Sequence, residues 1–149
     1  MKKKSILLYS CFLLSMPMMA QQNHASDSKA QNKALRDSLA AATNVLAYHP
    51  DSIDLRLKKA AWNIQLEQWA YAKDDLDKVL FLNNTNIAGL FYRAFVNEKM
   101  KRYNFARLDY QNLLVLVPGN FQAQLGLALL NEKDKHYTEA YDGINNLIE

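Results

Sequence analysis

Cysteine is almost absent from this chain, and the single copy, Cys11, lies in a segment read below as a leader. Without that segment the chain holds no thiol, so disulfides, thiolate nucleophiles and cysteine metal sites are excluded. Glycine is scarce too, with four residues in 149, and no phosphate-cradling loop is formed from them. The three histidines, His24, His49 and His136, have no ligand or acid–base partner at a recognisable spacing and read as solvated residues. Neighbouring carboxylates such as Asp74 and Asp75 fall on a helix face that needs charge for solubility, not for general acid–base work. No catalytic site, metal or cofactor is therefore expected, and the chain reads as a non-enzyme.

An excess of charge of one sign is missing as well. Lys2, Lys3 and Lys4 account for all of the +3 formal charge; taking those three from 18 Lys and Arg leaves 15 against 15 Asp and Glu. A neutral remainder carries no basic footprint for nucleic acid. The three lysines precede an apolar run over residues 6–14, too short to span a bilayer. Met18, Met19 and Ala20 follow, and then polar Gln21, Gln22 and Asn23. This order describes a secretory signal peptide over residues 1–20, and hence an exported protein, periplasmic or secreted, from a bacterial source. A second reading takes Cys11 as an acylated lipoprotein residue, the one route to a membrane. Too little apolar sequence precedes it, and residues 12–19 stay largely apolar after it. Residues 21–26 are expected to be a disordered tether.

What the chain does have is a period. Pro50, Asn84 and Pro118 stand 34 residues apart, each closing an apolar segment. With that residue as position 32, the units are 53–86, 87–120 and 121–149. In register come Ala60, Ala94 and Ala128 at position 8, Trp69, Tyr103 and Tyr137 at 17, and Ala72, Ala106 and Ala140 at 20. Leu76, Tyr110 and Ile144 share position 24; Val79, Leu113 and Leu147 share 27; Leu80, Leu114 and Ile148 share 28. Ala72, Leu76, Val79 and Leu80 fall at i, i+4, i+7 and i+8, a helical spacing. Polar breaks at Glu67 and Gln68, Lys101 and Arg102, and Lys135 and His136 divide each unit into a helical hairpin. Two helices approach within about 8–10 Å only over small side chains, which accounts for the alanine columns. Upstream, Leu35, Leu39, Ala42, Val45 and Leu46 share one face, so residues 27–50 read as a half-repeat helix covering the first hairpin.

This pattern resembles the tetratricopeptide repeat family: a small residue at position 8, an aromatic at 17, Ala at 20, a large apolar residue at 24 and Pro at 32. Asn84 departs from the last of these, and Asn63, Asn97 and Asn131 stand where the family has an aromatic at position 11. The resemblance implies an all-α solenoid over residues 27–149, about three repeats behind an N-terminal helix, that binds protein on a concave face. Positions 2, 5, 9 and 12 point there in the family. They give a groove of Leu57, Ala61 and Ile64; Phe91, Phe95 and Glu98; and Leu125, Leu129 and Glu132, with Asp54, Ala88 and Gln122 beside them. An apolar centre with a polar rim suits an amphipathic helix or apolar peptide; equally, Phe91, Phe95 and Leu125 are able to fill the core between first helices. The carboxylate grip of co-chaperone members is excluded, since the matching positions are Leu57, Ala61, Tyr92, Gln122 and Gly126.

Two polar columns add detail. Lys59, Arg93 and Leu127 hold position 7 while Asp75, Asp109 and Gly143 hold position 23, so the cation and anion vanish together. Ion pairs across the first two hairpins are expected, worth at most about 1 kcal/mol at partly exposed sites. The asparagine column reads either as a hydrogen-bonded ladder or as a grip on a partner's backbone, the ladder being favoured. The third unit reaches Glu149 before its own position 32, leaving Leu147 and Ile148 as an apolar end to be covered by self-association, by a partner, or by further repeats of a longer array of which this is a fragment. The function expected is an interaction scaffold or adaptor of the bacterial envelope. The alternatives are a self-assembling structural protein or a regulatory subunit of an envelope enzyme.

Overall fold

A computed structural model describes residues 16–145, with side chains described over 28–133. Six helices follow one another: α1 (Met16–Tyr48), α2 (Ile53–Gln65), α3 (Trp69–Leu82), α4 (Ile87–Lys99), α5 (Tyr103–Leu116) and α6 (Phe121–Asn145). α2 packs on α3 and α4 on α5, making two closed hairpins; α3 lies on α4, α5 on α6, and α1 on α2. The chain is an all-α solenoid of the tetratricopeptide type.

The hairpin turns have a defined backbone. After α2 the chain reverses through Glu67 at φ 55°, and after α4 through Lys101 at φ 58°, both in the left-handed region. The Gln68 amide then donates to the Asn63 carbonyl at 2.8 Å, and the Arg102 amide to that of Asn97 at 2.8 Å. These six-residue closures satisfy carbonyls that a helix end leaves open. Between units, Asn86 and Asn120 cap the next helix by accepting from Gly89 N at 2.7 Å and Ala123 N at 2.9 Å.

The alanine columns sit where close helix contact demands them. Ala60, Ala72, Ala94 and Ala106 have no exposed surface. Ala60 and Ala72 share a core cluster with Leu76 and Val96, packed against Trp69 at the turn. Ala94 and Ala106 share the second with Leu90, Tyr110, Leu113 and Leu130, against which Tyr103 packs. α1 covers the first hairpin with Ala42 and Leu46, while Val45, expected on the same face, is 47% exposed.

Two expectations fail. The third unit is no hairpin: α6 runs unbroken from Phe121 to Asn145, so Ala128, Tyr137 and Ala140 stand on one helix. A left-handed turn residue costs about 1–2 kcal/mol without glycine. In the closed units that cost is offset because α3 and α5 are each sandwiched between two first helices. The tether also fails, because α1 starts at Met16 and carries residues 21–26 as helix; Gln, Ala and Ser without Gly or Pro do not break one. Leu147 and Ile148 lie outside the described residues.

Candidate functional site

A concavity of about 270 Å³ lies between α4 and α6, lined by Phe91, Phe95, Glu98, Lys99, Tyr110, Gln122, Leu125, Gly126, Leu129 and Lys133. Helical spacing builds it: Phe91, Phe95 and Glu98 form one stripe of α4, and Gln122, Leu125, Leu129 and Lys133 the facing stripe of α6. Leu125 and Leu129 remain 46% and 45% exposed, an unusual exposure for side chains flanking an aromatic floor.

Tyr110 of α5 forms the floor, 3% exposed. A Cβ on Gly126 would come within 2.5 Å of its ring, so only glycine lets α6 lie this close. The phenol donates to Glu98 Oε1 at 2.7 Å. Burial, then that carboxylate, pushes the phenol well above its ordinary range, so it stays neutral. Lys133 donates to the other Glu98 oxygen at 3.3 Å and lies 5.7 Å from the Tyr103 ring centroid. Lys99 Nζ sits 5.2 Å from the Phe95 centroid and 6.0 Å from that of Trp69, whose ring meets Phe95 edge-on at 6.2 Å. The only carboxylate of the lining is thus already engaged, and two ammonium groups flank the apolar floor.

Of the nine residues expected in a groove, five come together here: Phe91, Phe95, Glu98, Leu125 and Leu129. Leu57 and Ile64 do not, being packed against the first hairpin's core. Ala61 and Glu132 also lie off the lining, Ala61 partly buried and Glu132 exposed. Phe91 lines the cavity and also packs on the second core cluster, which is the core-filling role anticipated for it. Sequence reading missed Lys99 and Lys133, which share position 13 with Gln65, and Tyr110 and Gly126, whose contact joins non-adjacent columns. No cation occupies any of the positions matching a carboxylate grip; the lysines of this groove stand elsewhere.

Behind the groove, the expected ion pairs are present. Lys59 Nζ reaches Asp75 at 2.8 Å, and Arg93 grips Asp109 twice, through Nε at 2.9 Å and Nη2 at 2.7 Å. Arg56 also binds Asp75, and Arg93 Nη1 reaches Asp77 at 3.0 Å, so Arg93 joins α3, α4 and α5. The Asp109 hydrogen bonds raise the Arg93 pKa further, keeping it charged. The partly exposed setting expected for these pairs is wrong for the acids, since Asp75 and Asp109 are 3% and 2% exposed. Nor is there a ladder of asparagines: Asn97 Oδ1 is buried with no hydrogen-bond partner, while Asn131 is exposed.

No group of three His, Cys, Asp or Glu is arranged to hold a metal among the described residues. Among them, too, no helix is long and apolar enough to cross a membrane.

No protein-family model matches this chain, and no curated protein sequence matches it. Solved structures do. The tetratricopeptide domain of Arabidopsis OM64 superposes with a TM-score of 0.63 at 20% identity, over 72% of this chain and 88% of that one. The first such domain of Spaghetti (RPAP3), bound to the HSP90 peptide SRMEEVD, gives 0.65 at 19% identity, over 74% and 87%. A tetratricopeptide repeat protein of Parabacteroides merdae gives 0.67 at 23% identity, over 80% of this chain and 47% of that one. At such identities the likeness establishes the fold: stacked helical hairpins of the tetratricopeptide class.

Proposed function

We propose that this chain is a non-catalytic protein-interaction scaffold whose α4–α6 groove takes an apolar segment of a partner polypeptide. The exposed Leu125 and Leu129 beside an aromatic floor carry this reading, since large apolar side chains at a concave surface mark a site of association. Similar folds that hold peptides, such as the RPAP3 domain with its HSP90 peptide, support it by analogy alone. Lys99 and Lys133 face the opening while Glu98 is engaged by Tyr110 and Lys133, so the partner segment carries an acidic residue beside its apolar anchor.

The setting belongs to the same proposal. Lys2, Lys3 and Lys4 before an apolar run support export from a bacterial cytoplasm, with Ala20 as the cut and the envelope as destination. Removal there would trim the first turn of α1. Mass spectrometry of the mature N-terminus checks it: a chain starting at Gln21 supports the reading, and a diacylated Cys11 replaces it with a membrane anchor.

The groove is tested with fluorescently labelled amphipathic peptides, half bearing acidic and half basic flanks, read by anisotropy. The acidic set is expected to bind, weakening with salt, and Leu125→Gln with Leu129→Gln to reduce binding at least tenfold with helix content unchanged. Equal binding of both sets, or binding indifferent to those substitutions, refutes the assignment.

A further inference from the structure

The groove has two unlike ends. Lys133, late in α6, lies 5.7 Å from the ring centroid of Tyr103, the first residue of α5, so α6 runs antiparallel to α5. α4 closes on α5 through the Lys101 turn and therefore runs the same way as α6. Phe91 and Phe95 of α4 thus lie across from Leu125 and Leu129 of α6 at one end, while Glu98, Lys99 and Lys133 gather at the other. The charged end begins about 6 Å beyond Phe95 and Leu129, one helical turn along each helix.

The charges at that end are not equivalent. Glu98 accepts from Tyr110 at 2.7 Å and from Lys133 at 3.3 Å, with its side chain 14% exposed. A partner carboxylate that took Lys133 would leave this largely buried acid with less compensation, at a cost in free energy. Lys99 is under no such claim. It is exposed, and no carboxylate pairs with it among the described residues. Its ammonium lies 5.2 Å from the Phe95 centroid and 6.0 Å from that of Trp69, rings that belong to different hairpins. This cradle positions the charge before a partner arrives, so less side-chain freedom is lost on binding.

We infer that Lys99 is the specificity-determining residue of the groove. It reads a carboxylate of the bound segment, set about one helical turn past an apolar anchor that rests on Phe95, Leu129 and the Tyr110 floor. The inference rests on the groove reading proposed above and assigns its charge selection to one residue. Glu98 and Lys133 cancel as a pair, so the net positive charge of the lining is that of Lys99. A segment with a basic residue at the same place is rejected by like charge.

The acidic and basic peptide sets, read by anisotropy against the full chain, test it. Lys99→Glu is expected to reverse the preference, from about tenfold for the acidic set to a comparable one for the basic set. Lys101→Glu makes the same charge change two residues away, at an exposed turn outside the groove lining. Glu67 holds the equivalent left-handed turn, so glutamate fits that backbone. This variant is expected to keep the acidic preference, which separates a contact from a change of net charge. Carbodiimide coupling of the bound acidic peptide is expected to join its carboxylate to Lys99, located by mass spectrometry. An acidic preference that survives Lys99→Glu overturns the inference and leaves the groove standing. Equal reversal by Lys101→Glu, or coupling to Lys133, does the same. Binding of neither set by the unsubstituted chain removes the groove and this inference together.

Discussion

Asp109 accepts two hydrogen bonds from Arg93 while only 2% exposed, and this combination sets what either residue is worth. An exposed pair contributes little, but removing the cation from a buried carboxylate leaves an uncompensated charge. Arg93→Ala is expected to cost about 2–4 kcal/mol in urea unfolding, the lower part of the buried-pair range because the Arg93 head is itself partly solvated. Arg93→Met with Asp109→Leu is expected to recover most of that loss, since no charge is then stranded. Lys59→Ala should cost less, because Arg56 still holds Asp75 at 2.9 Å. The matched loss of cation and anion at positions 7 and 23 makes the pairs legible in sequence. Their burial is not, because it depends on how the neighbouring helices stack around Asp75 and Asp109. Lys99 and Lys133 share a column just as visible, yet a lysine on a helix is ordinarily solvated, and nothing local marks these two as lining an aromatic groove.

At the scale of the elements, the turns are the informative pieces. Glu67 and Lys101 adopt left-handed φ without being glycine, a strain of about 1–2 kcal/mol that helix packing offsets. Lys101→Gly relieves it but adds chain entropy to the unfolded state, about 0.5–1 kcal/mol. The net expectation is a stabilisation below about 1 kcal/mol, seen as a small rise in the urea midpoint. A clear loss would show that the Lys101 side chain, not the backbone, holds the turn. The helices of the two closed hairpins are readable from the 34-residue columns, because apolar periodicity and helix pairing are local and repeat. The third hairpin carries the same columns and does not form. Pattern states which faces can pair; whether the turn closes depends on what sandwiches the second helix.

For the molecule as a whole, Tyr110 is the piece that draws the groove together, touching α4 through Glu98 and α6 through Gly126. Its raised pKa makes stability pH-dependent. The folded phenol keeps its proton where the unfolded one, titrating near pH 10, loses it. Its stabilising share is thus complete below about pH 10 and declines as pH climbs beyond, since unfolding then releases a proton. Wild type is expected to lose urea stability between about pH 9 and 11 more steeply than Tyr110→Phe, which cannot ionise. Parallel curves would mean the phenol is not the responsible group.

The amino-acid sequence alone determined the helical class, the unit length, the alanine contacts within each closed hairpin and the Lys59–Asp75 and Arg93–Asp109 pairings. All of these depend on spacing along one chain, and spacing is what a sequence records. Only the tertiary structure decided that Leu57 and Ile64 fill a core while Leu125 and Leu129 stay open. It alone decided that Asp75 and Asp109 are sealed from water, and that the last unit extends as a single helix. Those outcomes turn on which helix lies across which, and so on burial, a property of the assembled stack that no single unit carries in its own residues.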